Sequence, residues 1–260
     1  VTGSEAIGAS ADGALQTSDG RTHRADLVIG ADGVKSRVRD SLGLLKGRSP
    51  CADGIVRVLV PRCKDELLAA NPDYDWDHVI DFWRTEPTLR VLYTPCNERE
   101  LYLALMAPVD DPVTSAIPVR RDIWTAMFPQ LEPVIRRIES GGRYDAYETT
   151  TLERWSAGRV AILGDAAHAM VPTLGQGAGT AMMNGLALAV ELESTSDVAT
   201  ALERWEAQER PHTEYTQSRS DRAARERWLA VLVPVLYLAT FVWENVMLAK
   251  PEPTRYILLG

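Results

Sequence analysis

The chain has 260 residues, of which 45% are hydrophobic and 25% charged, and its formal net charge is −8. This composition is typical of a soluble globular protein long enough for one large core or two small ones. The acidic balance without a basic run argues against nucleic acid as a partner. Three cysteines without a C-x-x-C spacing suggest free thiols in a reducing cytoplasm, and residues 1–30 carry no signal-peptide pattern. The four histidines have no paired spacing beside carboxylates, so no metal site is expected.

The first 24 residues alternate polar and apolar side chains around Asp12-Gly13 and Asp19-Gly20, two turn signals that predict β-hairpins. Residues 25–31 predict a strand that ends at Asp32-Gly33, and residues 34–42 predict a short helix. An aspartate at the carboxyl edge of a strand suits a contact with ribose or ribityl hydroxyls. The alternative is an ordinary strand-to-helix turn with an aspartate cap.

The pattern changes to strands between about residues 51 and 147. Turn-like clusters separate four apolar runs, which predict an antiparallel sheet with strands at 55–60, 78–84, 89–94 and 101–107. Residues 118–128 and 131–138 then predict two helices. Because side chains alternate along a strand, Val79, Asp81 and Trp83 should share one face of the sheet, and Ile80, Phe82 and Arg84 the other.

The most informative stretch is residues 158–192. Its apolar run at 160–163 predicts a buried parallel strand, and Gly164-Asp165 places a carboxylate at the end of that strand. After Pro172, the segment Gly175-Gln176-Gly177-Ala178-Gly179 opens an apolar helix that runs to about residue 192. Glycines at a helix start leave backbone N–H groups accessible, and the positive end of the helix dipole favours an anion or an electron-rich carbonyl. Together these features predict a site for a large, partly anionic cofactor.

Two motifs carry a family resemblance. GDAAHAMVPTLGQGAG (164–179) resembles the second FAD motif of the single-component flavin-dependent aromatic hydroxylases, the para-hydroxybenzoate hydroxylase group. DLVIGADGVKSRVR (26–39) resembles the other internal signature of that family. Residues 143–170 are also similar, more loosely, to the hydroxypyridine-carboxylate oxygenases of vitamin B6 breakdown.

The resemblance implies FAD and NAD(P)H as cofactors, and hydroxylation of an aromatic or N-heteroaromatic substrate with O2 through a flavin C4a-hydroperoxide. It implies that Asp165 bonds the ribityl chain, and that Pro172 and the helix near Gly175 lie beside the reacting flavin ring as the catalytic positions. The cofactor contacts it implies are Asp32, Gly33, Arg37, Gly164, Asp165, Pro172, Gly175, Gln176, Gly177, Ala178 and Gly179.

Substrate contacts are expected on the sheet of residues 49–150. Trp83, Tyr93 and Tyr102 are the candidates, although any single aromatic is more often part of a core. Arg84 or Arg90 could pair with a substrate carboxylate, although a solvated surface arginine is the more common case.

The chain departs from the family pattern in three ways. No Gly-x-Gly-x-x-Gly turn for the FAD pyrophosphate is present, so the chain is expected to open within the FAD domain and to bind FAD more weakly without that segment. Gly179 stands where asparagine is usual and Asn184 where an acid is usual, which is expected to alter flavin contacts. His168 lies between small residues and is interpreted as structural.

The predicted fold class is α/β (α+β), with a partial FAD-binding Rossmann-like domain, an inserted antiparallel-sheet substrate domain and C-terminal helices. The predicted segments are 1–48 (partial FAD domain), 49–150 (substrate domain), 151–195 (FAD domain) and 196–260 (C-terminal helices). Residues 197–227 are charged and helical in pattern, with an apolar stripe that includes Leu202 and Trp205.

Residues 228–243 form an uncharged stretch that contains Pro234. A helix of this length would be about 24 Å long, shorter than the ~20 residues that cross a bilayer. A helix buried against the fold or at a homodimer interface is favoured over membrane-surface contact or an apolar pocket wall.

The function predicted for the parent protein is therefore an FAD- and NAD(P)H-dependent monooxygenase, with a small aromatic molecule and O2 as its partners. Two alternatives share the fold: a truncated, non-catalytic remnant that binds a ligand or a partner, and a lipid-directed flavin epoxidase or reductase.

Overall fold

The computed structural model describes residues 2–139, 142–225 and 256–259. The described chain divides into two compact units, one made of residues 2–51 and 148–225 and the other of residues 52–139, 142–147 and 256–259. Both units combine sheets with helices, which confirms the predicted mixed α/β class. The described helix of the predicted C-terminal segment belongs to the first unit.

The first unit begins with an antiparallel sheet of three short strands, as the two turn signals predict. A second sheet holds the parallel pair on which the cofactor prediction depends: Val160, Ala161 and Ile162 lie in register with Val28, Ile29 and Gly30. The strands of these two sheets are β1 (Ala6–Ser10), β2 (Ala14–Thr17), β3 (Thr22–Arg24), β4 (Val28–Gly30), β10 (Ser156–Ala157) and β11 (Val160–Ile162).

The helices of the first unit pack around two fully buried tryptophans, Trp155 and Trp205, whose rings lie 5.3 Å apart. The Nε1 of Trp205 donates to the Asn184 carbonyl at 2.9 Å and so joins the two longest helices. Leu202 and Trp205 are buried, as the predicted apolar stripe requires. The helices are α1 (Arg37–Ser41), α5 (Asp165–His168), α6 (Gly177–Ser194) and α7 (Val198–Arg225), with a 3-10 turn at Pro172–Leu174.

The second unit is built on a six-stranded sheet in the order β12-β6-β7-β8-β5-β9, antiparallel through its central strands. One face packs on the core, which contains Phe82, Tyr93 and Leu103 with Trp124 and Phe128 from the helical layer. The strands are β5 (Leu45–Pro61, which begins in the first unit), β6 (Ile80–Arg84), β7 (Leu89–Pro95), β8 (Glu100–Pro108), β9 (Tyr144–Leu152, which ends in the first unit) and β12 (Tyr256–Leu259).

The helices of the second unit are shorter than the sequence pattern predicts. They are α2 (Lys64–Ala70), α3 (Arg121–Met127) and α4 (Glu132–Ile135), with a 3-10 turn at Pro129–Leu131. Proline lacks a backbone N–H, and Pro129 interrupts the helical hydrogen bonding between α3 and α4. The sequence pattern missed α2 and β9 altogether.

The uncharged stretch 228–243 lies outside the described residues. Within the part of the chain that the structure describes, no helix has both the length and the apolar character needed to cross a membrane.

Candidate functional site

A groove of about 400 Å³ opens in the first unit at the carboxyl ends of the two parallel strands. Ligand sites of open parallel sheets lie at this edge. The strand ends, α5 and the first turn of α6 all contribute to its walls. The lining residues are Ala31, Gly33, Leu163, Gly164, Asp165, Gly177, Ala178 and Ala181.

The groove forms because glycines at the ends of the two strands allow neighbouring backbone segments to pack closely. A Cβ at Gly30 would approach Val38 Cγ1 to 2.8 Å and Ile162 Cδ1 to 3.0 Å, so glycine lets α1 lie against the parallel pair. Gly164 has φ +65° and ψ −144°, a conformation that L residues rarely adopt. This turn directs the chain from β11 into α5 and places Asp165 at the groove.

Among the described residues, Asp165 is the one ionisable side chain that lines the groove. It is exposed and accepts no hydrogen bond from any of these residues. Gly177 and Ala178, whose backbone N–H groups begin α6, line the same groove. The groove therefore offers a free carboxylate for hydroxyl groups and backbone donors for an electron-rich oxygen.

Asp32 and Arg37 have other partners. The Asp32 carboxylate accepts hydrogen bonds from Ser36 Oγ and from the backbone N–H groups of Arg37 (2.8 Å) and Val38 (3.2 Å), so it caps α1. Arg37 is exposed and forms a 3.4 Å ion pair with Glu5. These contacts agree with the alternative interpretation, in which Asp32 caps a strand-to-helix turn. The cofactor contacts predicted for Asp32 and Arg37 stay predictions.

Of the other predicted cofactor residues, Gly33, Gly164, Asp165, Gly177 and Ala178 line the groove, whereas four do not. Pro172 begins the 3-10 turn, Gly175 and Gln176 lie between that turn and α6, and Gly179 lies in the first turn of α6. A Cβ at Gly175 or Gly179 would meet open space, so the backbone there is accessible to a ligand. Their roles stay predictions.

A buried arginine that the sequence analysis did not single out joins the two motifs. Arg39 has no exposed surface, and its Nη1 donates to the carbonyl oxygens of Val34 and Ala166, both at 3.0 Å. Its Nε donates to Asp40 at 2.8 Å. Because Ala166 directly follows Asp165, Arg39 fixes the 164–168 turn against the 32–39 segment. The Asp-Gly-x-x-Ser-x-x-Arg spacing was the available signal, but an arginine in a short helix is usually exposed.

His168 belongs to a buried polar network below the groove. With its amide oxygen turned toward donors, Asn184 accepts from His168 Nε2 and Thr213 Oγ1, both at 3.1 Å, and its nitrogen donates to Glu209 at 2.9 Å. This arrangement places the proton of the imidazole on Nε2. Burial lowers the pKa of His168 below its usual range. Asn184 therefore faces α7 rather than the groove, so its expected direct effect on flavin contacts has no support in this geometry.

This network predicts a pH dependence of stability. The unfolded histidine titrates near pH 6.5, whereas the folded imidazole stays neutral to a lower pH. Unfolding therefore takes up a proton below about pH 6.5, and the free energy of unfolding should fall as pH decreases, with at most about 1.4 kcal/mol per pH unit from this group. Urea unfolding of His168→Gln between pH 7.5 and 5.5 should show a shallower fall than the wild type. The exposed His23→Gln should retain the full slope, and an equally steep fall in His168→Gln would contradict this assignment.

A second set of polar and aromatic side chains lies in the second unit, on the sheet face opposite its core. We call it the polar face and define it by Arg57, Asp81, Trp83, Arg90 and Tyr102, which strand pairing places on one side. Asp81 and Arg90 form a bidentate ion pair at 2.8 and 2.9 Å. The Arg90 guanidinium lies 4.6 Å from the centre of the Trp83 ring.

Tyr147 of β9 also belongs to this environment. Its phenol is within electrostatic reach of Arg57, Arg90 and Tyr102, and burial raises its pKa well above the usual range. Its hydroxyl is buried and has no hydrogen-bond partner among the described residues. The sequence analysis missed Tyr147, since no pattern connects it to strands that lie far away in sequence.

Two of the three predicted substrate aromatics lie on the polar face, but they are apart along the strands, since Trp83 is level with Met106 of β8, four residues from Tyr102. Trp83 and Tyr102 are partly buried on the polar face, as the strand alternation predicts. Tyr93 points the other way into the core, and its hydroxyl donates to the Trp76 carbonyl at 3.1 Å. A side chain fixed in this way has no surface for a substrate, so Tyr93 does not belong to the candidate site.

The groove of the first unit suits part of an FAD molecule. Its unpaired carboxylate matches the hydroxyl groups of a ribityl or ribose chain. Its walls of glycine, alanine and leucine allow a flat ring close to the backbone, and the start of α6 offers donors for a ring carbonyl. Among the described residues, no group of histidines, cysteines and acids could hold a metal ion.

A parallel strand pair with a glycine-opened helix, together with an antiparallel sheet that carries a polar face, defines a flavin-binding class of protein. The family described as FAD binding domain matches residues 5–226, and the chain belongs to this family. The family resemblance predicted from the two motifs is thereby confirmed.

The chain is also similar to individual known proteins. The chain is 44% identical over 218 residues to a putative 2-heptyl-3-hydroxy-4(1H)-quinolone synthase of Rhodococcus erythropolis, across 84% of this chain and 55% of the relative. It is 28% identical to 6-hydroxynicotinate 3-monooxygenase of Bordetella bronchiseptica, across 81% of this chain and 53% of the relative. The tetrameric form of 2-methyl-3-hydroxypyridine-5-carboxylic acid oxygenase superimposes with a TM-score of 0.81 at 47% identity, across 87% of this chain and 61% of that structure. The chain thus spans a little over half the length of these curated relatives.

Proposed function

We propose that this chain carries the flavin groove and the substrate sheet of an FAD-dependent monooxygenase that hydroxylates an N-heteroaromatic ring. The observation that carries the proposal is the unpaired Asp165 carboxylate, which lies at the end of a parallel strand and lines the same groove as the start of α6. The relatives support it, because the names of all three describe synthesis or oxygenation of a quinolone or pyridine ring.

FAD, when bound, supplies the redox chemistry of such a reaction, with NAD(P)H as the reductant and O2 as the oxidant. The residues of the chain bind and orient. Asp165 accepts hydrogen bonds from cofactor hydroxyls, and the first N–H groups of α6 stabilise negative charge on a ring carbonyl. The small residues Gly177 and Ala178 allow that ring to approach the helix start closely.

The polar face would hold the substrate ring. Trp83 and Tyr102 offer aromatic surface for stacking. A tyrosine hydroxyl is protonated at neutral pH, and burial raises the pKa of Tyr147 further, so this hydroxyl can donate to a ring carbonyl or hydroxyl. An unpaired buried donor costs about 1–3 kcal/mol, and a bound ligand that accepts from it removes that cost.

The reaction has a definite balance. One NAD(P)H, one proton, O2 and the ring C–H are consumed, and NAD(P)+, the hydroxylated ring and water are formed, so each O2 contributes one oxygen atom to the product. The stretch 228–243, which suggested the lipid-directed alternative, lies outside the described residues. A cytoplasmic location and a homodimer stay proposals, and the related oxygenase structure is described as tetrameric.

The test is turnover of the chain with FAD, NADH or NADPH, and 2-heptyl-4(1H)-quinolone, with the product analysed by mass spectrometry under 18O2. We expect a product heavier by one 18O atom. In Tyr147→Phe we expect kcat/KM to fall about tenfold, as the loss of one hydrogen bond predicts, with the flavin spectrum unchanged. Tyr215→Phe, which alters an exposed phenol on α7, should match the wild type. Absence of ring oxygenation in a chain that binds FAD would overturn the proposal.

A further inference from the structure

We infer that the polar face selects an uncharged N-heteroaromatic ring over a carboxylate-bearing one, and that Asp81 is the residue that sets this preference. The inference rests on the proposed function, because it assumes that the substrate ring binds to this face.

Arg90 is one of the two arginines that define this face, and its guanidinium is already occupied. Both Asp81 oxygens accept from its Nε and Nη2, which is the same bidentate geometry that a substrate carboxylate would need. The side chains of Asp81 and Arg90 are only 6% and 18% exposed, so the pair is protected from water and weakly screened. Trp83 covers the guanidinium from its ring face.

Other guanidinium groups of the second unit are paired as well. Arg57 and Arg143 both contact Asp145, at 3.3 and 2.6 Å. Asp53 acts on Tyr147 in the direction opposite to Arg57 and Arg90. Both arginines that define the polar face thus have carboxylate partners already, so the carboxylate of a substrate would compete with a protein carboxylate for either of them.

Instead of a free cation, the polar face offers an uncharged hydrogen-bond donor and aromatic surface. The Tyr147 hydroxyl is protonated and has no partner among the described residues. A ring carbonyl satisfies it without an added charge. Both substrate types occur among the relatives: the quinolone of the synthase name carries no carboxylate, whereas hydroxynicotinate and the pyridine-carboxylic acid each carry one.

The test uses two probes that differ by one carboxylate group, 4(1H)-quinolone and its 2-carboxylate, titrated calorimetrically into the full chain with FAD. The wild type should bind the uncharged quinolone at least about tenfold more tightly. Asp81→Asn should tighten carboxylate binding about tenfold, because it leaves Arg90 unpaired while keeping the size of the side chain. Asp81→Glu, which keeps the charge, should retain the wild-type preference. Asp77→Asn removes a carboxylate paired with Arg62 and Lys64 elsewhere in the same unit and should change neither affinity.

The outcomes separate the two claims. If the wild type binds both probes equally and Asp81→Asn changes nothing, the role of Asp81 is refuted and the proposed function stands. If neither probe binds to the wild type or to any variant, the proposed function fails, and the inference fails with it.

Discussion

Replacing Arg39 with methionine should lower the free energy of unfolding by about 3 kcal/mol, the largest stability effect that we expect from one substitution. The guanidinium donates two hydrogen bonds to main-chain carbonyls, and bonds that involve a charged group contribute about 1.5–3 kcal/mol each. The Ala166 carbonyl is buried and would be left unpaired. One gain opposes this loss, since Nη2 of Arg39 is itself buried without a partner among the described residues. The loss of these two bonds, and of the Nε bond to Asp40, outweighs the relief of one unsatisfied donor.

Urea unfolding measures this effect. Arg39→Lys keeps the charge but cannot reach both carbonyls, so we expect an intermediate loss, and it remains informative if the methionine variant does not fold. Arg21→Met removes an exposed arginine of the same unit and should change stability by less than about 0.5 kcal/mol. A loss below about 1 kcal/mol in Arg39→Met would contradict the view that Arg39 joins the two flavin motifs.

Replacing Asp165 with asparagine should weaken FAD binding by roughly tenfold to a hundredfold. The carboxylate has no protein partner among the described residues, so its hydrogen-bonding capacity is available to the cofactor. Loss of a charge-assisted hydrogen bond costs about 1.5–3 kcal/mol, which corresponds to this range of affinities. Stability should change by less than about 1 kcal/mol, because the carboxylate contributes to the fold mainly through its position in the first turn of α5.

Quenching of flavin fluorescence gives the affinity. Asp26→Asn is the matched control, since Asp26 is a fully exposed acid of the same unit and forms only a 3.5 Å ion pair with Arg159. We expect its FAD affinity to equal that of the wild type. Equal affinities for the wild type and Asp165→Asn would remove Asp165 from the cofactor site.

Local sequence patterns were sufficient to predict the elements that form the groove of the first unit. The apolar run at 160–162, the Gly164-Asp165 break and the glycine that begins α6 each have a direct structural consequence, and the structure brings these elements to one groove. The alternation along β6 also assigned Asp81 and Trp83 to the same face. Backbone conformation and strand period are local properties, so a single sequence reveals them.

The features that the sequence did not reveal depend on contacts between distant segments. The burial of Arg39 depends on the Ala166 carbonyl, which lies in the other motif. Tyr147 acquires its role only when β9 joins a sheet with strands that lie much earlier in the chain. Tyr93 was a candidate substrate contact with a core position as the more common alternative, and only the register of β7 assigns it to the core face.

The measurement that tests the central claim most directly is hydrogen–deuterium exchange of the full chain with and without FAD. If the groove of the first unit binds the cofactor, FAD should slow exchange of the backbone amides at residues 31–33, 163–165 and 177–181, and leave the core strands of the second unit unchanged. Unchanged exchange in these three segments at FAD concentrations that saturate the flavin signal would show that FAD binds elsewhere, and would contradict the account.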